Sequence, residues 1–253
     1  MVQDKVDFGF KKVATSEKSH LVKEIFSNVA KKYDLMNDLM SVGIHRVWKN
    51  KMIEEIIISN PKQTYKIIDV AGGTGDIAFR IAKKFREQNV ECEIDVVDIN
   101  QEMLDVGKAR AVDYNLFRDL KFTCCDGEDL CFSDESFDFF TIAFGIRNFT
   151  NVELALSEAR RVLKKGGKFI CLEFSKVNDF FLQKFYDFYS FKVIPKIGEI
   201  VLGDKNSYQY LVESIRKFPS QDEFKKMIEE AGFKNVSYKK LSFGTAAIHV
   251  GTV

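Results

Sequence analysis

The segment 65–85 changes its hydrophobic period at a cluster of glycines. Residues 67–70 are almost continuously apolar, which is typical of a strand buried on both faces. The glycine-rich loop 72–75 follows, and apolar residues then recur at helical spacing over 77–85. A strand that turns through glycines into a helix is the usual setting of a cofactor loop in an α/β sheet, so this segment predicts the centre of the fold.

The charges around the loop favour one class of cofactor. Gly73 and Gly75 match the G-x-G-x-x-A form of the dinucleotide fingerprint, but Asp69 and Asp76 flank the loop where a pyrophosphate needs bare amides. S-adenosylmethionine has no phosphate and carries a sulfonium and an ammonium, so acidic flanks suit it electrostatically. The alternative role for Asp76 is to stabilise the N-terminus of the helix.

A further acidic residue supports an adenosine ligand. Asp98 closes the apolar run 94–98, about 25 residues after Gly73. At this spacing an acidic side chain takes the ribose hydroxyls. A turn-forming aspartate at a strand end is the alternative. We therefore predict a second parallel strand that ends at Asp98.

Strand and helix patterns alternate over most of the chain and predict an α/β fold: a doubly wound, mostly parallel, seven-stranded Rossmann-like sheet with an antiparallel last strand. The predicted strands cover 65–71, 92–98, 120–125, 137–143, 167–174, 234–241 and 244–251, and the helices between them cover 75–88, 101–113, 151–164 and 221–231. Lys164 to Gly167 is interpreted as a helix stop.

The whole chain, 1–253, is interpreted as a single domain with appended helices. It divides into a helical N-terminal segment over 1–60, a cofactor-binding core over 61–175, an aromatic-rich helical lid over 176–218, and a C-terminal helix and strand pair over 219–253. The ends of the strands are where ligands bind in such sheets, and the lid would cover them.

Composition argues against several functional classes. The net charge is +1, from 38 Lys+Arg and 37 Asp+Glu, and no basic run with interleaved aromatics indicates a nucleic-acid groove. Five cysteines without a C-x-x-C pair and three scattered histidines indicate free thiols and no metal site. No apolar run approaches the ~18 residues of a membrane span, so we expect a cytoplasmic protein.

Polar residues also follow two later predicted strands. Asp126 could accept from an adenine amino group while Gly127 permits close backbone approach, and an ordinary Asx-turn is the alternative. Arg147 and Asn148 lie in the otherwise apolar segment 144–149. Buried polar groups are usually paired or kept for function, and we favour function here over a structural salt bridge of Arg147.

Motifs spread over nearly the whole chain resemble the UbiE-type C-methyltransferases of ubiquinone and menaquinone biosynthesis. The glycine loop is common to the wider superfamily, and three further segments carry the family resemblance: Tyr33-Asp34-Leu35-Met36-Asn37-Asp38, Phe144-Gly145-Ile146-Arg147-Asn148, and Tyr208-x-Tyr210-Leu211-x-Glu213-Ser214-Ile215-Arg216-x-Phe218-Pro219.

The resemblance implies a class I methyltransferase that uses S-adenosyl-L-methionine. The residues that it implies for cofactor binding are Gly73, Thr74, Gly75, Asp98, Asp126 and Gly127. One departure is that some relatives have a serine before the Phe-Gly pair, where this chain has Ala143. No side-chain hydrogen bond to the cofactor is expected at that position.

The implied reaction is methylation of a ring carbon of a polyprenylated hydroquinone, either demethylmenaquinol or 2-methoxy-6-polyprenyl-1,4-benzoquinol. Such a carbon becomes nucleophilic as the ring hydroxyl loses its proton. Arg147 is predicted to stabilise the phenolate and Asn148 to orient the ring oxygen. Tyr33 is a further catalytic candidate in the hydroxyl network, and an interior helix tyrosine is its alternative role.

Some alternatives stay open at this stage. Another small-molecule O- or N-methyltransferase, or a non-catalytic module that binds an adenosine ligand, would share the core. The resemblance does not separate a benzoquinol from a naphthoquinol. Besides the quinol substrate, it leaves open a homodimer, a contact with other quinone-biosynthesis enzymes, and peripheral contact with the inner membrane face; no nucleic-acid partner is expected.

Overall fold

The structure is a computed structural model that describes residues 5–29, 38, 41, 43–176 and 205–253. The strands in these residues are β1 (Lys5–Phe8), β2 (Lys11–Ala14), β3 (Tyr65–Val70), β4 (Cys92–Asp98), β5 (Leu120–Cys124), β6 (Phe137–Ala143), β7 (Leu163–Phe174), β8 (Lys234–Leu241) and β9 (Ala246–Thr252). The α-helices are α1 (Thr15–Val29), α2 (His45–Glu54), α3 (Asp76–Glu87), α4 (Gln101–Asp113), α5 (Val152–Val162), α6 (Lys205–Lys217) and α7 (Gln221–Glu230).

Seven strands form one sheet in the order β5-β4-β3-β6-β7-β9-β8. Strands β3 to β7 pair in parallel, and β9 is antiparallel to both of its neighbours, β7 and β8. The predicted fold class is therefore confirmed, including the antiparallel last strand. The strand order reverses beside β3, since β4 lies on one side of it and β6 on the other, and ligands bind at such a switch point.

Helices cover both faces of the sheet because its central strands are apolar on both sides. On one face α2 and α3 contribute fully buried side chains such as Met52 and Phe85. On the other face α5 and α7 contribute Leu156 and Phe224. With both faces covered, the open edge of the carboxyl ends is left as the place for a ligand.

The prediction of a helical segment over 1–60 was wrong for its first part, where β1 and β2 form a hairpin. The turn of the hairpin is held by a residue that is distant in sequence, since Phe10 N donates to Glu213 Oε2 at 2.9 Å. The Phe8 ring also stacks on Tyr210, with ring centroids 4.4 Å apart. Both partners lie on α6, so the local sequence carries no signal for this pairing. The later helices α1 and α2 are where helical spacing predicted them.

The boundary between α5 and β7 also differs from the prediction. The helix ends at Val162 and the strand begins at Leu163, so the residues interpreted as a helix stop are part of β7. Gly166 N donates to Val253 O at 3.0 Å, and Val253 N donates to Gly167 O at 3.1 Å. Pairing with the C-terminal residues therefore extends the strand backwards. Most of the predicted lid, 177–204, lies outside the described residues, and α6 follows it.

Within the described ranges, no helix is both long and apolar enough to cross a membrane.

The end of α2 is held by Lys84 of α3, whose ammonium donates to Ile53 O at 2.8 Å and Ile56 O at 2.6 Å. Lys84→Met should lower the free energy of unfolding by about 1–2 kcal/mol, because charge-assisted hydrogen bonds to the last carbonyls of a helix are lost. Lys83→Met is the matched control, since that side chain is 76% exposed. Equal urea-denaturation midpoints for the two variants would contradict this role.

Candidate active site

A cleft opens at the carboxyl ends of β3, β4 and β6, with α1 over it. Including its opening to solvent, it encloses about 1090 Å³. The chain leaves two adjacent strands with unusual backbone geometry, since Ala71 after β3 has a φ of 51° and Phe144 after β6 has a φ of 58°. Such conformations cost energy for residues with a side chain and cluster at functional sites.

The predicted glycine loop forms one wall of the cleft. Gly75 has a φ of +84°, and a Cβ there would lie 2.8 Å from the Phe79 ring, so a glycine is required to begin α3. The amide of Gly73 donates to Asp98 Oδ2 at 3.0 Å. The loop that follows β3 is therefore tied to the end of β4.

Asp98 is half-buried and lines the cleft. Its second oxygen, Oδ1, accepts from Asn100 N at 2.8 Å. Burial raises the pKa of Asp98 to about 6, against the opposing effect of these amides. Each carboxylate oxygen still has a lone pair to offer, so the side chain can accept hydrogen bonds from a pair of ligand hydroxyls.

Asp69 is a second buried carboxyl in the cleft, and it was missing from the predicted contact residues. It is 1% exposed, and Oδ1 accepts from Thr141 Oγ1 at 2.8 Å. The described residues offer no hydrogen bond to Oδ2. Burial raises its pKa to about 7. A buried carboxyl oxygen without a donor is costly unless a ligand supplies one, and a ligand ammonium would do so.

The third acidic residue of the loop, Asp76, is already neutralised. Lys49 of α2 lies 2.7 Å from its Oδ2 and Arg80 lies 3.1 Å from its Oδ1. Burial alone would raise the pKa of Asp76, but these two cations lower it below its usual value. The electrostatic argument from the sequence therefore holds for Asp69 and not for Asp76, whose charge is balanced by its partners.

The remaining predicted cofactor residues also line the cleft. The Thr74 hydroxyl accepts from Arg110 at 2.9 Å, so this side chain is bonded to α4. Asp126 is exposed and Oδ1 accepts from Glu128 N at 2.9 Å, the geometry of the Asx-turn that was its alternative role. A Cβ on Gly127 would lie 2.6 Å from the Phe149 ring, so packing within the protein already requires glycine there.

Arg147 was predicted to act on the substrate, but its side chain does not line the cleft. It lies in the 3₁₀ turn Ile146–Asn148. Its guanidinium pairs with Glu173 at 2.7 Å, and both side chains are no more than 3% exposed. It also donates to Phe144 O at 2.5 Å. The structural salt bridge that was the alternative is the geometry observed. Burying a cation without a partner would be too costly, and β7 supplies Glu173 beside it.

Asn148 does line the cleft. Its Oδ1 accepts from the Tyr210 hydroxyl of α6 at 3.0 Å. This bond fixes the orientation of the amide, whose NH₂ can donate to a ligand. Tyr33, the third predicted catalytic residue, lies outside the described residues.

Helix α1 supplies cleft residues that the motif analysis missed, including Val22 and Phe26. It is held over the cleft by Asn100, whose Nδ2 donates to Ser27 Oγ at 3.0 Å and to Lys23 O at 3.2 Å. Asn100 also caps the N-terminus of α4. Its position before a helical pattern could have predicted the cap, but not the bond to α1.

The cleft so assembled combines one buried and one half-buried carboxyl, a glycine loop and an apolar cover. The two carboxyls can accept hydrogen bonds from hydroxyls and from an ammonium, while the apolar walls exclude water. In the part of the chain that the structure describes, no group of three or more His, Cys, Asp or Glu residues could hold a metal ion.

The raised pKa of Asp69 makes stability depend on pH. Its ordinary value is about 4, so between about pH 4 and pH 7 the native state keeps a proton that the unfolded state has released. This contribution to stability is full below about pH 4 and is lost as pH rises through about 7. As pH rises from about 5 to 7, the unfolding free energy of Asp69→Asn should therefore increase by about 1–2 kcal/mol relative to that of the wild type.

Urea denaturation across pH measures this difference. The control is Asp105→Asn, which alters an exposed carboxylate on α4 and should keep a constant difference from the wild type. A pH-independent difference for Asp69→Asn would contradict the assignment of a raised pKa to this buried carboxyl.

Comparison with known proteins identifies the family. A model of the ubiE/COQ5 methyltransferase family matches residues 12–253. The ubiquinone/menaquinone biosynthesis C-methyltransferase UbiE of Rickettsia bellii is 56% identical over 246 residues, which cover 97% of this chain and 98% of the relative. The protein of the same name from Rickettsia akari is 55% identical over the same length.

Solved structures share the fold at low sequence identity. A SAM-dependent methyltransferase from Aquifex aeolicus is 14% identical with a TM-score of 0.57, covering 81% of this chain and 89% of its own. The [4+2]-cyclase SpnF is 14% identical with a TM-score of 0.63, covering 92% and 96%. Since a cyclase has this architecture, the fold alone does not determine the reaction. The family model and the Rickettsia relatives extend over nearly the whole sequence, and the chain belongs to the ubiE/COQ5 methyltransferase family.

Proposed function

We propose that this enzyme transfers a methyl group from S-adenosyl-L-methionine to a ring carbon of a polyprenylated quinol, in ubiquinone or menaquinone biosynthesis or in both. The observation that carries the proposal is the pair of carboxyls at the switch point of the sheet, the buried Asp69 and the half-buried Asp98. The relatives named for C-methylation in both pathways support the choice of substrate.

The residues of the cleft fit the cofactor. Asp98 offers acceptors for the ribose hydroxyls, and the unpartnered Oδ2 of Asp69 suits an ammonium. Asp126 and Gly127 lie at the rim, where an adenine amino group needs an acceptor. When bound, S-adenosyl-L-methionine supplies an electrophilic methyl group. It carries no phosphate, which agrees with a loop flanked by carboxyls.

The substrate must be activated by the chain itself. A ring carbon becomes nucleophilic as the neighbouring hydroxyl gives up its proton, so a donor aimed at the developing phenolate oxygen favours reaction. The Asn148 amide lines the cleft and fits this role, because the hydrogen bond from Tyr210 to its oxygen orients the NH₂ as a donor. We assign the NH₂ of Asn148 to the ring oxygen and Tyr210 to positioning the amide.

Arg147 takes a different role from the one that its sequence context indicated. Its ion pair with Glu173 and its bond to Phe144 O hold the turn that carries Asn148. It is therefore proposed as a positioning residue. Its charge is balanced by Glu173, so removing Arg147 alone would leave a buried carboxylate unpaired and would destabilise the fold as well as the site. Tyr33 is kept as a candidate for the hydroxyl network on the family resemblance.

A polyprenylated substrate partitions into the bilayer, so the proposal includes peripheral contact of this enzyme with the membrane surface.

The assignment of Asp98 predicts a loss of cofactor affinity in Asp98→Asn. Binding of S-adenosylhomocysteine should weaken by about ten- to a hundredfold, since a charged acceptor of hydroxyl hydrogen bonds contributes about 1–3 kcal/mol. In the wild type, affinity should also fall as pH drops below about 6, because the protonated carboxyl is a poorer acceptor. The variant should show a flatter pH dependence.

Calorimetric titration from about pH 5 to pH 8 measures both effects. Asp113→Asn on α4 is the control, since its carboxylate is exposed and lies outside the cleft. Unchanged affinity in a folded Asp98→Asn variant would contradict the role of Asp98.

The assignment of Asn148 predicts a loss in rate. Asn148→Ala should reduce single-turnover methyl transfer to a short-tailed soluble quinol by about 10²–10³, the usual cost of one donor to a developing oxyanion. Affinity for S-adenosylhomocysteine should change much less, because the interaction strengthens mainly as the ring is activated. Tyr210→Phe keeps the ring but frees the amide to rotate, and a smaller loss is expected.

Product analysis accompanies the rates. Methylation at a ring carbon supports the proposed reaction, whereas methylation at oxygen would move the enzyme to another class. No turnover of any quinol by a wild type that binds cofactor would contradict the proposed function itself.

A further inference from the structure

A second groove lies on the other side of the wall formed by Phe149 and Thr150, which line both it and the cofactor cleft. We call it the hairpin groove, because the β1–β2 hairpin forms one bank and the ends of α6 and α7 form the other. Four lysines line it, at positions 5, 12, 18 and 217, together with the carboxylates of Asp7 and Glu153. Lysines therefore outnumber carboxylates in the groove, which favours the binding of anions.

Lys18 is the unusual member of this set. It is 6% exposed, and its ammonium donates to Phe149 O at 2.6 Å. Among the described residues it has no carboxylate within ion-pair distance, although an ammonium has three donors. Burial lowers its pKa, against weaker opposing effects of Glu128 and Asp7. A buried ammonium with one neutral acceptor is costly, and an anion in the groove would offset that cost.

The rim lysines are exposed and only partly neutralised. Lys12 lies 3.0 Å from Asp7, and Lys217 lies 3.8 Å from the same carboxylate oxygen, so one acid serves two cations. Lys5 is exposed at the start of β1. Lysines on flexible stems keep their charge in water while their methylenes cover apolar surface.

Apolar groups accompany the charges. Phe10 at the hairpin turn is 55% exposed, and Lys11 and Lys12 follow it in sequence. Val6, Val152 and Met227 line the groove between the cations. A soluble phosphate would need the charges but would gain nothing from an exposed aromatic ring. Lysines beside a partly exposed aromatic side chain are the composition of surfaces that bind at the headgroup level of a bilayer.

We propose that the hairpin groove, with Lys5, Lys12 and Lys217 at its rim and Phe10 at the adjoining hairpin turn, docks on an anionic phospholipid bilayer and that Lys18 receives a lipid phosphate. The inference rests on the proposed function, because a polyprenylated quinol is held in a bilayer. Docking through this face sets the Phe149–Thr150 wall, which the groove shares with the cofactor cleft, against the membrane.

Vesicle co-sedimentation tests the surface. Wild type should bind vesicles of phosphatidylglycerol and phosphatidylcholine far better than vesicles of phosphatidylcholine alone, and added salt should weaken binding. The triple variant Lys5→Gln, Lys12→Gln, Lys217→Gln should lose about tenfold to a hundredfold in affinity, as expected for three lysines near an anionic surface. The charge-matched control is Lys62→Gln, Lys83→Gln, Lys108→Gln, whose lysines are exposed outside the groove and should leave affinity within a few-fold.

Two single variants test the details. Phe10→Trp should give a blue-shifted emission with anionic vesicles, measured against the wild type with its buried Trp48. Lys18→Met should keep or gain thermal stability without lipid, because a buried charge is removed, and should bind anionic vesicles more weakly. If Lys18 is only a structural donor to Phe149, the variant is destabilised and its vesicle affinity is unchanged.

Equal vesicle affinity of the two triple variants would overturn the proposal, as would wild type that ignores anionic vesicles. Inorganic phosphate is the probe for the other source of the same chemistry. Stabilisation of the wild type by millimolar phosphate, with no binding to anionic vesicles, would assign the groove to a soluble anion instead.

Methyl transfer to a short-tailed soluble quinol separates this inference from the proposed function. The rim triple variant should match the wild type in that assay, because its lysines lie outside the cofactor cleft. A wild type that binds vesicles but methylates no quinol would refute the function and leave the surface, whereas normal methylation without vesicle binding would refute the surface alone.

Discussion

The hydrogen bond between the Asp98 carboxylate and the Gly73 amide is the contact on which the site depends. It joins the loop after β3 to the end of β4, two strands that are already paired side by side. The same carboxylate holds Asn100, which caps α4 and ties α1 across the cleft. One partly buried acid therefore orders the glycine loop, the start of a helix and the cover of the cleft. The price is a raised pKa, which leaves the residue sensitive to ligand hydrogen bonds.

The elements outside the sheet are held by polar contacts as much as by apolar packing. Glu213 of α6 fixes the turn of the hairpin, and Lys49 of α2 pairs with Asp76 at the start of α3. The ion pair between Arg147 and Glu173 holds the turn that carries Asn148. Buried ion pairs of this kind add little net stability compared with apolar side chains of the same size, but breaking one partner is costly. Their effect is to hold particular segments in one arrangement around the cleft.

The pattern of charges differs on the two sides of the wall formed by Phe149 and Thr150. In the cleft, neither Asp69 nor Asp98 has a cation within ion-pair distance among the described residues, so both can accept hydrogen bonds from a cationic, hydroxylated ligand. Across the Phe149–Thr150 wall, Lys18 has no carboxylate within that distance in the part of the chain that the structure describes.

The sequence by itself determined the sheet and the location of the site, because hydrophobic period, glycine placement and strand-end acids are local signals. The local sequence alone was enough to interpret residues 67–70, Gly73 and Asp98. It was also enough to predict the order of strands and helices along the chain after residue 65. What depends on contacts between distant residues was decided only by the tertiary structure. The hairpin needs Glu213, the early start of β7 needs Val253, and the charge of Asp76 is cancelled by Lys49. For the same reason Arg147, polar within an apolar segment, could be recognised as special but not as the partner of Glu173, since only folding brings that carboxylate within 2.7 Å.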